Sequence, residues 1–252
     1  MDTEARQSQI LQLARADGRV MVTTLVTELG VAAETIRRDL RALAERGVLR
    51  RVHGGAVAVE SAGYESDVGH RSTSFVDEKR RIAAASSRLL HGAETVYIDE
   101  GFTPRLVAEE LVGERLTVVT SSLPAAMVFA DAPAVTVLLL GGRMRGRTVA
   151  TVDHWALQML RELSIDLAII GANGVSRDRG LTTPDPAVAA VKAEAVRRSR
   201  RRVLVGAHTK FGAISFCTFA ELTDLEAIVT GTELSAAEAH RYEAAGPRVI
   251  RA

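Results

Sequence analysis

The stretch Glu34-Thr35-Ile36-Arg37-Arg38-Asp39-Leu40-Arg41-Ala42-Leu43-Ala44-Glu45-Arg46, followed by Gly47-Val48-Leu49-Arg50-Arg51-Val52-His53-Gly54-Gly55-Ala56, decides how the chain is read. Ile36, Leu40 and Leu43 recur at helical spacing and form one apolar stripe over residues 34–46, which Gly47 ends. Thr35, Arg37, Arg38 and Arg41 lie off that stripe. A helix anchored by its leucines therefore holds a hydroxyl and several guanidiniums outward. Two short extended runs, 48–52 and 56–59, flank a glycine turn and make a basic hairpin. Between Arg37 and His53, six arginines stand against only Asp39 and Glu45. Guanidinium forks bind phosphate in pairs and read guanine, so this density suits a recognition helix in a major groove with a wing beside it. The candidate contacts to duplex DNA are Thr35, Arg37, Arg38, Arg41, Arg50, Arg51, His53 and Gly54. Asp39, an anion amid so much cation, reads as a structural residue that orients an arginine.

Toward the amino terminus, Ile10, Leu13 and Ala14 predict a helix over 6–16 that Gly18 stops. Leu25 and Leu29 predict a short second helix from Thr23, turned by Gly30 and Val31. Three helices and a basic hairpin make a winged helix-turn-helix over residues 1–59. The run Thr35–Leu40 together with Gly47–Ala56 closely resembles the signature of the DeoR family of bacterial sugar-responsive repressors. The resemblance extends through most of the chain. It implies a winged helix-turn-helix joined to a sensor of phosphorylated sugars, release from operator DNA when the sugar phosphate binds, and a homo-oligomer. Paired reading heads on repeated half-sites argue for the oligomer too. One departure stands at Ala32, where the family usually has serine; loss of a capping hydroxyl there costs about 1 kcal/mol of helix stability.

The 252 residues suit one small and one medium domain. Hydrophobic residues make up 47%, yet no apolar run approaches the ~20 residues of a membrane span. The start of the chain carries Asp2, Glu4 and Arg6 in place of a secretory signal, so a cytoplasmic protein without membrane contact is expected. Net charge is only +1, which leaves the local arginine cluster to carry any nucleic-acid contact. Cys217 stands alone and the six histidines lack ligand spacing, so neither disulfide, metal nor cofactor is expected.

Residues 60–77, rich in serine and glycine, read as a linker, and 78–252 as the larger domain. There, helical runs at 78–90, 104–112, 123–130, 154–162, 187–198 and 235–245 alternate with extended runs at 95–98, 116–120, 135–140, 167–170, 203–205 and 227–229. Near-continuous Val/Ile/Leu strands between helices predict an α/β fold, a mostly parallel sheet covered on both faces. The family's sensor resembles the ribose-5-phosphate isomerase fold. Ligands of such sheets bind beyond the carboxyl ends of strands. Polar and glycine-rich segments fall there, and they supply the candidate effector contacts Asp99, Gly101, Thr103, Thr120, Ser121, Ser122, Gly141, Gly142 and Asn173.

Among 32 basic residues only Lys79, Lys192 and Lys210 are lysine, so a compact ammonium is required where arginine is otherwise preferred. Lys79 and Lys210 are assigned to the effector phosphate; Lys192 reads equally well as a solvated helix residue. The run from Arg197 to Arg202 reads as helix-terminal cations favoured by the dipole, not as a second DNA contact. An isomerase with an appended DNA-binding domain is the rival reading. Enzymes of the resembling fold carry an acidic motif after the strand that here ends at Ile169-Ile170. This chain has Gly171-Ala172-Asn173-Gly174, so the carboxylate base is missing there, while Asp99, Glu100 and Asp185 remain possible acids.

Overall fold

The computed structural model describes residues 2–59 and 74–252, which fall in two compact units, residues 1–66 and 67–252. Most of the segment read as linker, 60–73, lies outside the described residues.

In the first unit, helix α1 (Thr3–Asp17) is capped by Asp2, whose carboxylate accepts from the Ala5 N–H at 2.7 Å, and ends at Gly18 with φ 72°. Strand β1 (Arg19–Met21) follows, then α2 (Val22–Leu29), α3 (Ala33–Glu45), β2 (Leu49–Val52) and β3 (Gly55–Ala58). The strands form an antiparallel sheet in the order β1-β3-β2. Ile36, Leu40 and Leu43 of α3 pack on Ile10, Ala14, Leu25, Leu49 and Ala56, all buried. Burying each of these larger side chains contributes roughly 1.5–3 kcal/mol, enough to fix the orientation of α3. Asp39 is buried and accepts from Arg6 Nε at 2.6 Å and Gln7 Nε2 at 3.1 Å. It does orient an arginine, but one on α1. At Gly55 a Cβ would lie 2.0 Å from the Val20 carbonyl oxygen, so only glycine lets β3 approach β1.

The second unit begins with α4 (Val76–Ser87). Residues 76 and 77, read as linker from the sequence, are therefore helical; Asp77 and Glu78 give the first turn the acidic charge that a helix amino terminus favours. The chain continues through β4 (Thr95–Ile98), α5 (Phe102–Glu110), β5 (Leu116–Thr120), α6 (Leu123–Val128), β6 (Val135–Leu139), β7 (Arg143–Arg145), β8 (Ala150–Val152) and α7 (His154–Arg161). Then come β9 (Ile165–Ile170), β10 (Gly174–Ser176), β11 (Gly180–Thr183), α8 (Pro186–Arg198), β12 (Ser199–Val205), β13 (Cys217–Ala220), β14 (Ala227–Thr230), α9 (Ala236–Glu243) and β15 (Arg248–Arg251).

Seven strands form one parallel sheet in the order β15-β14-β12-β9-β4-β5-β6. Successive strand residues point to opposite faces, and both faces are apolar. Val96, Ile98, Leu167, Ile169, Val203 and Val205 meet Ile82 and Ala83 of α4 and Leu106 and Val107 of α5. Tyr97, Ala168, Ile170 and Leu204 meet Leu160 of α7, Val188 and Val191 of α8 and Tyr242 of α9. Strand order runs outward in one direction from β4 and in the other from β9, so the topological switch point lies between them.

The arginine run has structural partners. Arg197 and Arg198 pair with Glu194, Arg201 with Glu226 at 2.7 Å, and Arg202 donates to the Val196 carbonyl at 2.8 Å. No helix among the described residues is long and apolar enough to cross a membrane.

Candidate functional site

The leucine stripe turns Arg37, Arg38 and Arg41 to solvent, leaves Thr35 half-buried, and the hairpin leaves Arg50, Arg51, His53 and Gly54 exposed. Gly54 turns the hairpin at φ 71°, and Arg19 steadies it by donating to the His53 carbonyl at 3.3 Å. Arg37 contacts Glu34 at 3.3 Å with both side chains largely exposed. Such a pair is worth about 0–1 kcal/mol and leaves Arg37 available to a polyanion. Ala32 occupies the cap of α3 and supplies no side-chain bond. Ala32→Ser is expected to raise stability by about 1 kcal/mol, read as a higher denaturant midpoint at constant m-value. An unmoved midpoint would mean that a hydroxyl there does not reach the helix N–H groups.

In the second unit a cleft opens where the carboxyl ends of β4, β9 and β12 meet, beside the switch point. Of the residues proposed from the sequence it gathers Lys79, Gly101, Thr103, Asn173 and Lys210, and it adds Glu100, Phe102 and Lys192. Gly101, at φ 112°, starts α5, so the N–H groups of Phe102 and Thr103 border the cleft, while Pro104, third in the turn, has none. Lys79 donates to the Ser74 carbonyl at 2.7 Å and lies 5.4 Å over the Phe102 ring. Thr183 donates to Asn173 Oδ1 at 3.0 Å and fixes the amide.

Lys192 is not a solvated helix residue. It is 2% exposed, hydrogen-bonds Asp99 Oδ2, donates to the Gly171 carbonyl at 3.1 Å, and lies 3.9 Å from Glu100 Oε1. Asp99 stays below the cleft. Its carboxylate accepts from the N–H groups of Glu100 and Gly171, each at 2.8 Å, and so ties the end of β4 to the end of β9. Burial pushes the Asp99 carboxyl above the ordinary carboxylate range, against the pull of the Lys192 ammonium.

Thr120, Ser121, Ser122, Gly141 and Gly142 do not line the cleft. Thr120 donates to the Ile98 carbonyl at 2.7 Å, Ser122 caps α6, and the Ser121 carbonyl accepts from Thr151. Gly142 carries the chain from β6 into β7 where a Cβ would lie 2.3 Å from the Val152 carbonyl oxygen. Glu78, not singled out from the sequence, accepts from the His208 N–H at 2.7 Å and contacts Nδ1 at 2.9 Å. It thereby fastens the Lys210 loop to the helix that bears Lys79. Ligand-type atoms of Glu78, His208 and Glu233 lie within 4.8 Å of one another, the one such group among the described residues. Glu233 is held by Arg81 at 2.7 Å, so this group is satisfied as a hydrogen-bonded network.

Two sequence families match. Residues 6–62 match the DeoR-like helix-turn-helix domain, and residues 74–232 match the DeoR C terminal sensor domain. The chain belongs to the DeoR family. It is a DNA-binding transcriptional regulator with a sensor domain. Similar DeoR-type relatives include the HTH-type transcriptional regulator GlpR of Haloferax volcanii, 33% identical over 97% of this chain and 96% of that one. The glycerol-3-phosphate regulon repressor of Escherichia coli is 30% identical over 91% of each chain. The lactose phosphotransferase system repressor of Staphylococcus epidermidis is 32% identical over 91% of this chain and 92% of that one. Among solved structures, ribose 5-phosphate isomerase A of Methanocaldococcus jannaschii aligns at 16% identity over 55% of each chain with a TM-score of 0.41. Within the DeoR sensor domain of this chain, lysine scarcity singles out Lys192 but leaves its role open, because helical periodicity says only that a residue lies on a helix. Asp99, its partner, is 93 positions away.

Proposed function

We propose that this DeoR-family chain represses a sugar-utilisation operon as a homo-oligomer and leaves its operator when a phosphorylated sugar occupies the cleft. The observation that carries this reading is the convergence of Lys79, Lys210 and the first turn of α5 on one cleft at the switch point. Ammonium groups and unpaired helix N–H groups together favour a phosphate dianion. A cleft ligand acts on DNA binding only by differential affinity for two arrangements of the assembly, one with its reading heads at operator spacing and one without. Names of the relatives, among them a glycerol-3-phosphate regulon repressor, agree with this class of signal.

Calorimetry on Lys210→Ala tests the reading. A charge-assisted contact of about 1.5–3 kcal/mol predicts a roughly tenfold to hundredfold weaker affinity for the sugar phosphate that binds the parent protein. Equal affinity would remove Lys210 from the site.

The oligomer is supported by exposed apolar side chains at and near edge strand β6: Leu138 and Leu139, which point to opposite faces of the sheet, with Met144, Trp155 and Met159. The Gly141 N–H, just past the end of β6, donates to Met159 Sδ at 3.1 Å. A sedimentation coefficient matching a lone 27.0 kDa chain would contradict the oligomer.

We infer that the cleft does not turn its ligand over. Asp99 is committed to Lys192, and Asp185 caps α8 while facing Arg145 at 3.2 Å, so of the three acids only Glu100 lines the cleft, with no second carboxylate among the described lining residues to share acid and base roles. Turnover in a coupled isomerase assay would overthrow this.

A further inference from the structure

Glu100 stands out among the groups around the cleft. It lies between the end of β4 and the start of α5, where its backbone is pinned: the Glu100 N–H donates to Asp99 Oδ1 at 2.8 Å, and Gly171 packs so closely that an added Cβ would lie 3.5 Å from the Glu100 carbonyl oxygen. The side chain is 5% exposed and lines the cleft. Oε2 is buried with no hydrogen-bond partner among the described residues, and Oε1 lies 3.9 Å from Lys192 Nζ, beyond hydrogen-bond distance. That ammonium is already engaged by Asp99 and the Gly171 carbonyl. A buried polar group without a partner is costly, and an ionised carboxyl can only accept.

We propose that Glu100 is the residue that reads the hydroxyl groups of the effector: it accepts a hydrogen bond from one of them and thereby sets which phosphorylated compounds the protein answers to. The inference rests on the phosphosugar reading given above. Chemistry divides the ligand. A phosphate dianion has no hydrogen to offer a carboxylate, so the donor comes from the hydroxylated part of the molecule. The terminal torsion of glutamate is soft and roughly two-fold, so the carboxylate turns to meet that donor while its backbone stays fixed. A hydrogen bond to an ionised acceptor is among the stronger kinds, and forming it here breaks none to another described residue. The preference is sharp for the same reason. A site built to bond a hydroxyl rejects an analogue that lacks it, because the buried acceptor is then left unpaired.

The test is a double-mutant cycle by calorimetry on the full-length protein. Glucose 6-phosphate, fructose 1-phosphate, ribose 5-phosphate and glycerol 3-phosphate are titrated first, and the tightest of them is carried forward with its single-deoxy analogues. One deoxy analogue is expected to bind the parent about tenfold to a hundredfold more weakly than the full compound, whereas Glu100→Ala is expected to bind the two alike. Glu100→Gln, whose amide oxygen still accepts, is expected to fall between them and to melt no lower than the parent. That variant carries the cycle if the alanine protein does not fold. A loss for every deoxy analogue that is the same in parent and variants overturns the inference and leaves the phosphosugar reading standing, as does a parent that holds every deoxy analogue as tightly as the full compound. Failure of all four probes, and of further sugar and polyol phosphates, overturns both.

Discussion

Lys192→Met is expected to destabilise the sensor domain by about 3–5 kcal/mol, because it removes the only ammonium from a buried pair and leaves a carboxylate uncompensated. Methionine matches the length of the lysine stem, so the loss is electrostatic and leaves no large cavity. Asp99 is fully buried, and Glu100 beside it carries the same sign. Against a total stability of about 5–15 kcal/mol, the change consumes a large share of what holds the domain folded. It should appear in urea denaturation and as a melting temperature lower by about 10 °C. The deficit has a direction in pH. An acid whose pKa rises on folding loses stability as pH climbs from its unfolded value toward the folded one. Burial already raises Asp99, and removing Lys192 raises it further. The variant should therefore lie nearest the parent in acid and fall behind as pH rises above the ordinary carboxylate range. Asp99→Asn combined with Lys192→Met should recover part of the loss. A Lys192→Met protein as stable as the parent across pH would mean that the pair does not hold β4 to β9.

Arg38→Ala is expected to weaken operator binding by about tenfold to a hundredfold, the cost of one lost phosphate or base contact of about 1–3 kcal/mol. Arg38 is exposed on α3, opposite the buried stripe of Ile36, Leu40 and Leu43. Fold stability should therefore change by less than about 0.5 kcal/mol, which separates a binding defect from an unfolding one. The salt dependence tells which contact was lost. A phosphate contact lowers the slope of log affinity against log salt by about one, whereas a base contact leaves the slope and relaxes preference at one position. Gel-shift titrations that match the parent at every salt concentration would show that this face of α3 does not read the duplex.

The first domain was legible because its signals are local. The α3 stripe, the caps at Gly18 and Gly47, and the basic hairpin each lie within a few residues, and periodicity finds them. Strand β1 escaped because Arg19-Val20-Met21 is three residues long and is held by pairing to β3, more than thirty positions on. In the sensor domain the central strands stood out as apolar runs. The short strands did not. Arg143-Met144-Arg145 has no apolar run, Gly180-Leu181-Thr182-Thr183 opens on a glycine, and Arg248-Val249-Ile250-Arg251 is flanked by charge. These strands are specified by their partners.

The same division governs the cleft. Lysine scarcity and glycine loops after strands pointed to Lys79, Gly101, Asn173 and Lys210, which the cleft brings together. Loops after β5 and β6 looked identical by composition, yet Thr120, Ser122 and Gly142 serve the backbone, because those strands lie away from the switch point. Strand order is a property of the folded sheet, and no local pattern discloses it. The Lys192–Asp99 and His208–Glu78 contacts join residues about a hundred positions apart and are equally hidden.

Fluorescence anisotropy of the purified protein with a labelled duplex from upstream of its own gene, titrated across ionic strength with and without phosphorylated sugars, tests the central claim most directly. Saturable binding is expected, tighter than to an unrelated duplex, weakening steeply with salt and shifting when the cleft ligand is added. A signal that stays flat at low ionic strength, with every phosphorylated sugar and with none, would contradict the account.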